Sequence, residues 1–185
     1  RSDLTVMEPL KKYDICIYID GNAIIKDPYM LSDILLNIPN DTLMVLTKHP
    51  HTNSIYHEIN IAKQQKKYDN LKLGEMGLRY QKEGFIDREN NYYWNGFVFY
   101  MNPFSKDMEQ FYDMYTNECM NSIIDPSKKV HYHGQIVLPY AIWKTQMVNR
   151  THMLQYDNHL KISQQIIPKE HKCVVFQVFY ASIRN

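Results

Sequence analysis

The stretch Asp14-Ile15-Cys16-Ile17-Tyr18-Ile19-Asp20-Gly21-Asn22 decides the fold class. Its middle is short, β-branched and apolar on both faces, which predicts a central strand of a covered sheet. It stops at a polar turn, Asp20-Gly21-Asn22, as strand ends in α/β proteins do. Asp27-Pro28 then reads as an N-cap and N1 pair opening a helix through about Ile38. Asp41 to Leu46 predicts a second buried strand, closed by Lys48-His49-Pro50. A helix is expected from Thr52 to about Lys67, with Ile55, Ile59 and Ala62 on one stripe. Another is expected from about Leu71 to Lys82. Tyr92 to Met101 is aromatic and β-branched, hence a strand. Asn102-Pro103 reads as a further N-cap pair, before a helix carrying Phe104, Met108, Phe111, Tyr115, Cys119 and Ile123 as its core stripe. Gln135 to Val148 predicts a helix with Pro139 in or near its first turn. Arg150 to Lys161 is polar without a clear period, and Cys173 to Tyr180 reads as a closing strand. The alternation predicts an α/β fold: a mixed, mostly parallel sheet flanked by helices.

The 185 residues suffice for one domain with a real core. With no repeat or linker, residues 1–185 read as a single domain. Lys and Arg number 21 and Asp and Glu 20, so the net charge is +1. That balance argues against a nucleic-acid binder, which carries a basic excess or face. A 44% hydrophobic and 13% aromatic composition excludes a disordered chain. Tyr is abundant, with 15 against 6 Gly; its ring and polar tip suit half-buried sheets and sugar clefts. The same excess fits codon bias in an AT-rich genome. Cys16, Cys119 and Cys173 are scattered, so we expect reduced packing residues and a cytoplasmic setting. No run approaches the ~18 apolar residues of a membrane span. The first ten residues, charged and containing Pro9, do not read as a signal peptide. The chain opens on Arg1, as a fragment or processed product would.

Asp20 and Asn22 are the first residues that could carry chemistry. Residues two apart in an extended chain point to the same side. The pair would present two oxygen-bearing groups at a strand end, where open α/β sheets place ligands. A hard cation, Mg²⁺ or Mn²⁺, takes a few such oxygens and completes its shell with water and phosphates. Asp-Gly-Asn is equally an ordinary turn.

A wider set of short motifs sits around this turn: Tyr18-Ile19-Asp20-Gly21-Asn22, Asp27-Pro28-Tyr29, Lys48-His49-Pro50 and Ile55-Tyr56-His57-Glu58. It continues with Arg79-Tyr80, Glu83-Gly84, Asn95-Gly96-Phe97-Val98, Gln135 and Pro139-Tyr140-Ala141-Ile142-Trp143-Lys144. Their order over residues 13–145 resembles a glycosyltransferase-like domain family found in plant Golgi mucilage-related proteins, bacteria and large viruses. The resemblance implies a GT-A-like, Rossmann-related fold. It puts Asp20, Gly21 and Asn22 in the place of the metal and diphosphate motif, with Asp20 and Asn22 as metal ligands. GT-A enzymes usually carry two carboxylates there, so the amide of Asn22 leaves one charge fewer. Lys48 and His49 would reach a phosphate or sugar hydroxyl, although His49 also reads as a loop residue before Pro50. Glu58 would fix His49 or an arginine.

The family tends to read Arg-Asp-Gln where this chain has His133-Gly134-Gln135. An acid there is the natural general base of an inverting transfer, taking the acceptor hydroxyl proton. Gly134 cannot do so, which leaves His133 or His131 as substitutes; both are equally readable as structural, or as a metal pair on a strand. Trp94, Asn95 and Gly96, with Gln135, are expected to line the sugar or acceptor wall beside Tyr92 and Tyr93. Trp143 reads as core. His152, His159 and His171 lie where GT-A enzymes often supply a late metal ligand. Only 19 residues precede Asp20. Either an upstream nucleotide-binding half lies outside this chain, or the strand Lys172 to Tyr180 supplies its role.

The resulting expectation is a glycosyltransferase using Mn²⁺ or Mg²⁺, a nucleotide-diphosphate sugar (a UDP-sugar favoured) and a glycan or glycoprotein acceptor. It would have no nucleic-acid partner and no membrane span, and could be part of a larger multidomain protein. The alternative is a non-catalytic module that binds a nucleotide sugar or glycan. A third reading is a metal-dependent phosphohydrolase using Asp20.

Overall fold

The computed structural model describes residues 12–19, 23–25, 30–49, 52–64, 72–87, 92–124, 134–154 and 160–162. The elements run β1 (Ile15–Ile19), β2 (Ala23–Ile25), α1 (Met30–Asn37), β3 (Met44–Lys48), α2 (Ile55–Gln64), α3 (Leu73–Lys82) and β4 (Tyr93–Met101). They continue with α4 (Lys106–Asn121), α5 (Gly134–Lys144), a 3₁₀ turn (Val148–Arg150), β5 (Thr151–Leu154) and β6 (Leu160–Ile162). Among the described residues the main sheet has four strands in the order β1-β4-β3-β5. β4 is antiparallel to both β1 and β3, and β5 is parallel to β3. β2 and β6 pair antiparallel as a separate two-stranded ribbon.

The mixed α/β class is as the sequence predicts, but the expected mostly parallel sheet is not: of the three pairings in the described main sheet, two are antiparallel and one is parallel. The direction of β4 has a simple cause. One helix between β1 and β3 lets the chain re-enter in parallel. Among the described residues, two helices lie between β3 and β4, and two between β4 and β5. Each pair adds a reversal, so β4 runs against its neighbours.

Period-two alternation separates two cores. Met44 and Leu46 of β3 and Val98 of β4 face the helices α2, α3, α4 and α5, against Ile55, Ile59, Met76, Tyr80, Met108, Phe111 and Ile136 to Ile142. Val45, Phe97 and Phe99 face the other way, with Ile34 of α1 and the partly buried Ile15, Ile17 and Ile19. The expected stripe of α4 holds in part: Met108, Phe111 and Cys119 are buried in it, Tyr115 is partly buried, and Phe104 and the buried Ile123 lie outside the helix. Cys16 and Cys119 are free and buried; Cys173 lies outside the described residues.

Four expectations change. β1 lies at the margin of the described sheet rather than at its centre. Asn102 has a left-handed φ of 48°, and Ser105 is the N-cap of α4, accepting from the amide of Met108. Pro139 sits in the middle of α5, because that helix begins at Gly134. The polar stretch after Arg150 contains β5 and β6. Asp27-Pro28 and the strand Cys173 to Tyr180 lie outside the described residues. Among those residues, no helix is long and apolar enough to cross a membrane.

Candidate functional site

Three of the motif segments meet at one end of the sheet. β1 ends at Ile19, paired with Phe97, and β3 ends at Lys48, paired with Tyr93. β5 ends at Leu154, opposite Thr47. Because β4 is antiparallel, its beginning lies beside the ends of the other strands. The end of β1 at Ile19, the pair Lys48-His49 and the Trp94-Asn95-Gly96 backbone therefore lie at the same end of the sheet. The ladder is broken there: Leu46 pairs with Val98, but Thr47 pairs with Trp94. One step along β3 thus corresponds to four along β4. Bulges of this kind turn the backbone out of the sheet and re-aim it. Thr47, 1% exposed beside the bulge, has a hydroxyl without a hydrogen-bond partner.

His49 follows β3 and is half-buried. Its amide donates to the carbonyl of Tyr92 at 2.9 Å, and its ring lies against the Tyr92 ring with centroids 5.3 Å apart. The amide of Thr52 donates to His49 Nδ1 at 2.9 Å. The Thr52 hydroxyl donates in turn to Glu58 Oε2 at 3.1 Å. Glu58 stands in the first turn of α2, where a carboxylate suits the helix dipole.

The same end is clamped from α5. The Gln135 side-chain amide donates to the carbonyl of Tyr93, and the Tyr92 phenol donates to the backbone carbonyl of Gln135 at 3.3 Å. Proline lacks the N–H that would cap the carbonyl four residues earlier. Pro139 therefore gives the Gln135 carbonyl no helical N–H, and the Tyr92 phenol donates to it instead. Burial first, then the nearby charge of Glu58, push the Tyr92 phenol well above its usual range, so it stays a neutral donor.

The remaining motifs gather among the helices. Arg79 pairs with Glu83 at 3.3 Å and with the buried carboxylate of Glu118. Glu83 Oε2 accepts from the Tyr140 phenol at 2.5 Å and from Lys144 Nζ at 2.6 Å. The Tyr80 and Tyr140 rings stack 3.7 Å apart with planes 6° from parallel, and Arg79 lies over both. Two electron-rich faces repel in such a stack, and the cation offsets this. Hydrogen bonds from Lys144 and Tyr140 hold the Glu83 carboxyl below its ordinary range. Gly84, with φ 87°, ends α3: its amide bonds to the carbonyl of Gln81 and that of Phe85 to Tyr80. Trp143 packs edge-on to Phe85, as core. Burial pushes the Cys119 thiol up to about 12, so it is inert. This cluster ties α3, α4 and α5 together.

Asp20, Gly21, Asn22, His131, His133, His159 and His171 lie outside the described residues. Of Trp94 and Asn95 the backbone is placed, in β4. Gly96 is buried in the bulge, and Gln135 is 7% exposed in the first turn of α5. Gly134 opens that helix and is buried. His152 lies within β5 opposite Val45. Among the described residues no group of three His, Cys, Asp or Glu side chains could hold a metal ion. Thr52 is a partner of His49 that the sequence did not single out.

The fold is a mixed α/β domain in which three strands running the same way, β1, β3 and β5, finish at the end of the sheet where β4 begins. Residues 7–95 match the TOD1/MUCI70 glycosyltransferase-like domain, the family that the motifs resemble. The matched segment runs through β1, α1, β3, α2 and α3 into the bulge of β4, and so includes most of the edge. No curated protein and no solved structure matches the chain.

Proposed function

We propose that this chain is a GT-A-like glycosyltransferase domain, moving a sugar from a nucleotide-diphosphate sugar to a glycan or glycoprotein acceptor. The carrying observation is that one end of the sheet gathers the end of β1, after which the sequence reads Asp20, with the Lys48-His49 pair and the bulged Trp94-Asn95-Gly96 backbone, all within or beside the matched family segment. Ligands of open α/β sheets bind beyond the carboxyl ends of parallel strands. A β bulge there presents backbone to a ligand instead of to a neighbouring strand.

The donor set of Asp20 and Asn22 is a carboxylate and an amide, which fits a hard cation that keeps water and phosphate in its shell. Bound Mn²⁺ or Mg²⁺ would neutralise charge on the departing diphosphate. In this reading Lys48 offers a cationic contact and His49 a polar one to the same group. Trp94 and Asn95 would line the sugar side. Gln135 acts by holding Tyr93, and hence the start of the bulge, in place. His131 and His133, immediately before α5, are the groups available to take the acceptor proton.

A second reading is a binding module that holds a nucleotide sugar without turnover. It is favoured by Gly134, which begins α5 with no side chain where the family tends to carry an acid. Titration of the chain with UDP-, GDP- and dTDP-sugars, with and without Mn²⁺, followed by assay for transfer and hydrolysis, separates the two. Binding with turnover supports the enzyme, and binding alone supports the module. Binding of no nucleotide sugar sinks both.

A further inference from the structure

The start of β4 and the start of α5 hold each other. The pairs Lys48–Tyr93 and Thr47–Trp94 lie beyond the bulge, so the first residues of β4 are set off from the ladder that resumes at Val98. From α5 the Gln135 side chain donates to the carbonyl of Tyr93. In return the Tyr92 phenol donates to the carbonyl of Gln135 at 3.3 Å. Pro139, one turn on, has no N–H to offer that carbonyl, so Tyr92 gives the first turn of α5 the bond that Pro139 withholds. Tyr92 is fully buried and Gln135 is 7% exposed, so water competes poorly for either bond. Segments that share buried bonds open and close as one unit.

We infer that Tyr92 and Gln135 are positioning residues that cross-link the β4 bulge to the first turn of α5, so that a nucleotide sugar held at the bulge also fixes the start of α5. The ligand half of this inference rests on the transferase reading above; the cross-link half does not. In that reading the bulge lies on the sugar side, and His131 and His133 stand immediately before α5 in the sequence. A fixed start of α5 then sets the acceptor-side group against the sugar. Reacting groups held in near-attack geometry need no further ordering to react. Pro139 makes the coupling possible, because a helix with all its own bonds would hold its first turn whatever β4 did.

Hydrogen exchange of the full chain, read on peptides covering residues 92–98 and 134–142, tests the two halves separately. Tyr92→Phe is expected to speed exchange in both peptides by about fivefold, the equivalent of one buried hydrogen bond. Gln135→Leu, which removes the other bond of the cross-link, should loosen the same two peptides. In a Pro139→Ala background, where α5 supplies its own amide, Tyr92→Phe should speed residues 92–98 alone. Equal acceleration of both peptides in that background overturns the cross-link, as does acceleration of one peptide alone in the wild-type background. UDP-, GDP- and dTDP-sugars with Mn²⁺ then test the ligand half. A nucleotide sugar that binds wild type is expected to slow exchange in both peptides by at least about threefold. In Tyr92→Phe it should slow residues 92–98 alone. Protection of 92–98 without 134–142 in wild type, or undiminished protection of both in Tyr92→Phe, overturns the ligand half. If no nucleotide sugar binds while the variants exchange as expected, the transferase reading and the ligand half fall together and the cross-link stands.

Discussion

The carbonyl of Gln135 takes its hydrogen bond from the Tyr92 phenol at 3.3 Å because Pro139, one helical turn on, has no N–H to give. A helix break and a strand terminus thus complete each other, and this joins α5 to the start of β4. Tyr92→Phe would remove that buried hydrogen bond, at a cost of about 1 kcal/mol. Pro139→Ala supplies the missing amide, so the Tyr92→Phe penalty should shrink in that background by at least ~0.5 kcal/mol. Urea denaturation of the four-member cycle checks this; strictly additive losses would show that the two residues are not linked.

Arg79 is the partner of the buried Glu118 carboxylate, whose side chain is 5% exposed. Arg79→Met strands that charge. The expected loss is about 2 kcal/mol, below the ~3–5 kcal/mol of a fully buried pair because Arg79 itself reaches solvent. Arg79→Met with Glu118→Gln should recover most of it, read from the same denaturation midpoints.

Glu83 gives a pH signature. Its carboxyl is held below the ordinary range by Lys144 and Tyr140. A depressed folded pKa contributes stability that is complete above the unfolded value, about 4.3, and is lost as pH falls through the folded one. The stability gap between wild type and Glu83→Gln should therefore be widest near neutrality and narrow on acidification below about pH 4. A gap that grows in acid would reverse the assigned sign.

Helices α3 and α5 end in the same hydrogen-bond pattern with different residues at the left-handed position. Gly84 occupies it at φ 87°, and Gln146 occupies it at φ 59°, with the amide of Met147 bonded to Ile142. Gly84→Ala should cost about 1 kcal/mol, and Gln146→Gly should gain a few tenths to ~1 kcal/mol. Thermal unfolding of both variants reads the two opposite shifts.

The sequence disclosed the elements better than their arrangement. Alternation in Met44 to Lys48 and Phe97 to Met101, and helical spacing from Met108 to Ile123, follow from burial and are local. The direction of β4 depends on counting two helices before it, and the strand β2 is too short at Ala23–Ile25 to leave a pattern. Pro139 misled in a specific way: as an early-turn residue it would cost no hydrogen bond, whereas mid-helix its cost is met by Tyr92, 47 residues earlier by chain position. At the site, His49 and Gln135 were legible as polar residues at element ends. Thr52 was not, because a backbone amide that donates to a side chain carries no mark in residue type.

The central claim is that the edge formed by the ends of β1 and β3 and the bulge of β4 holds a metal-assisted nucleotide diphosphate. The direct measurement is calorimetric titration of UDP into wild type and Asp20→Ala, each with Mn²⁺ and with chelator. The account predicts binding by wild type that weakens by at least about tenfold with chelator, and a comparable loss in Asp20→Ala that chelator no longer deepens. Equal, metal-independent binding by both proteins would contradict it.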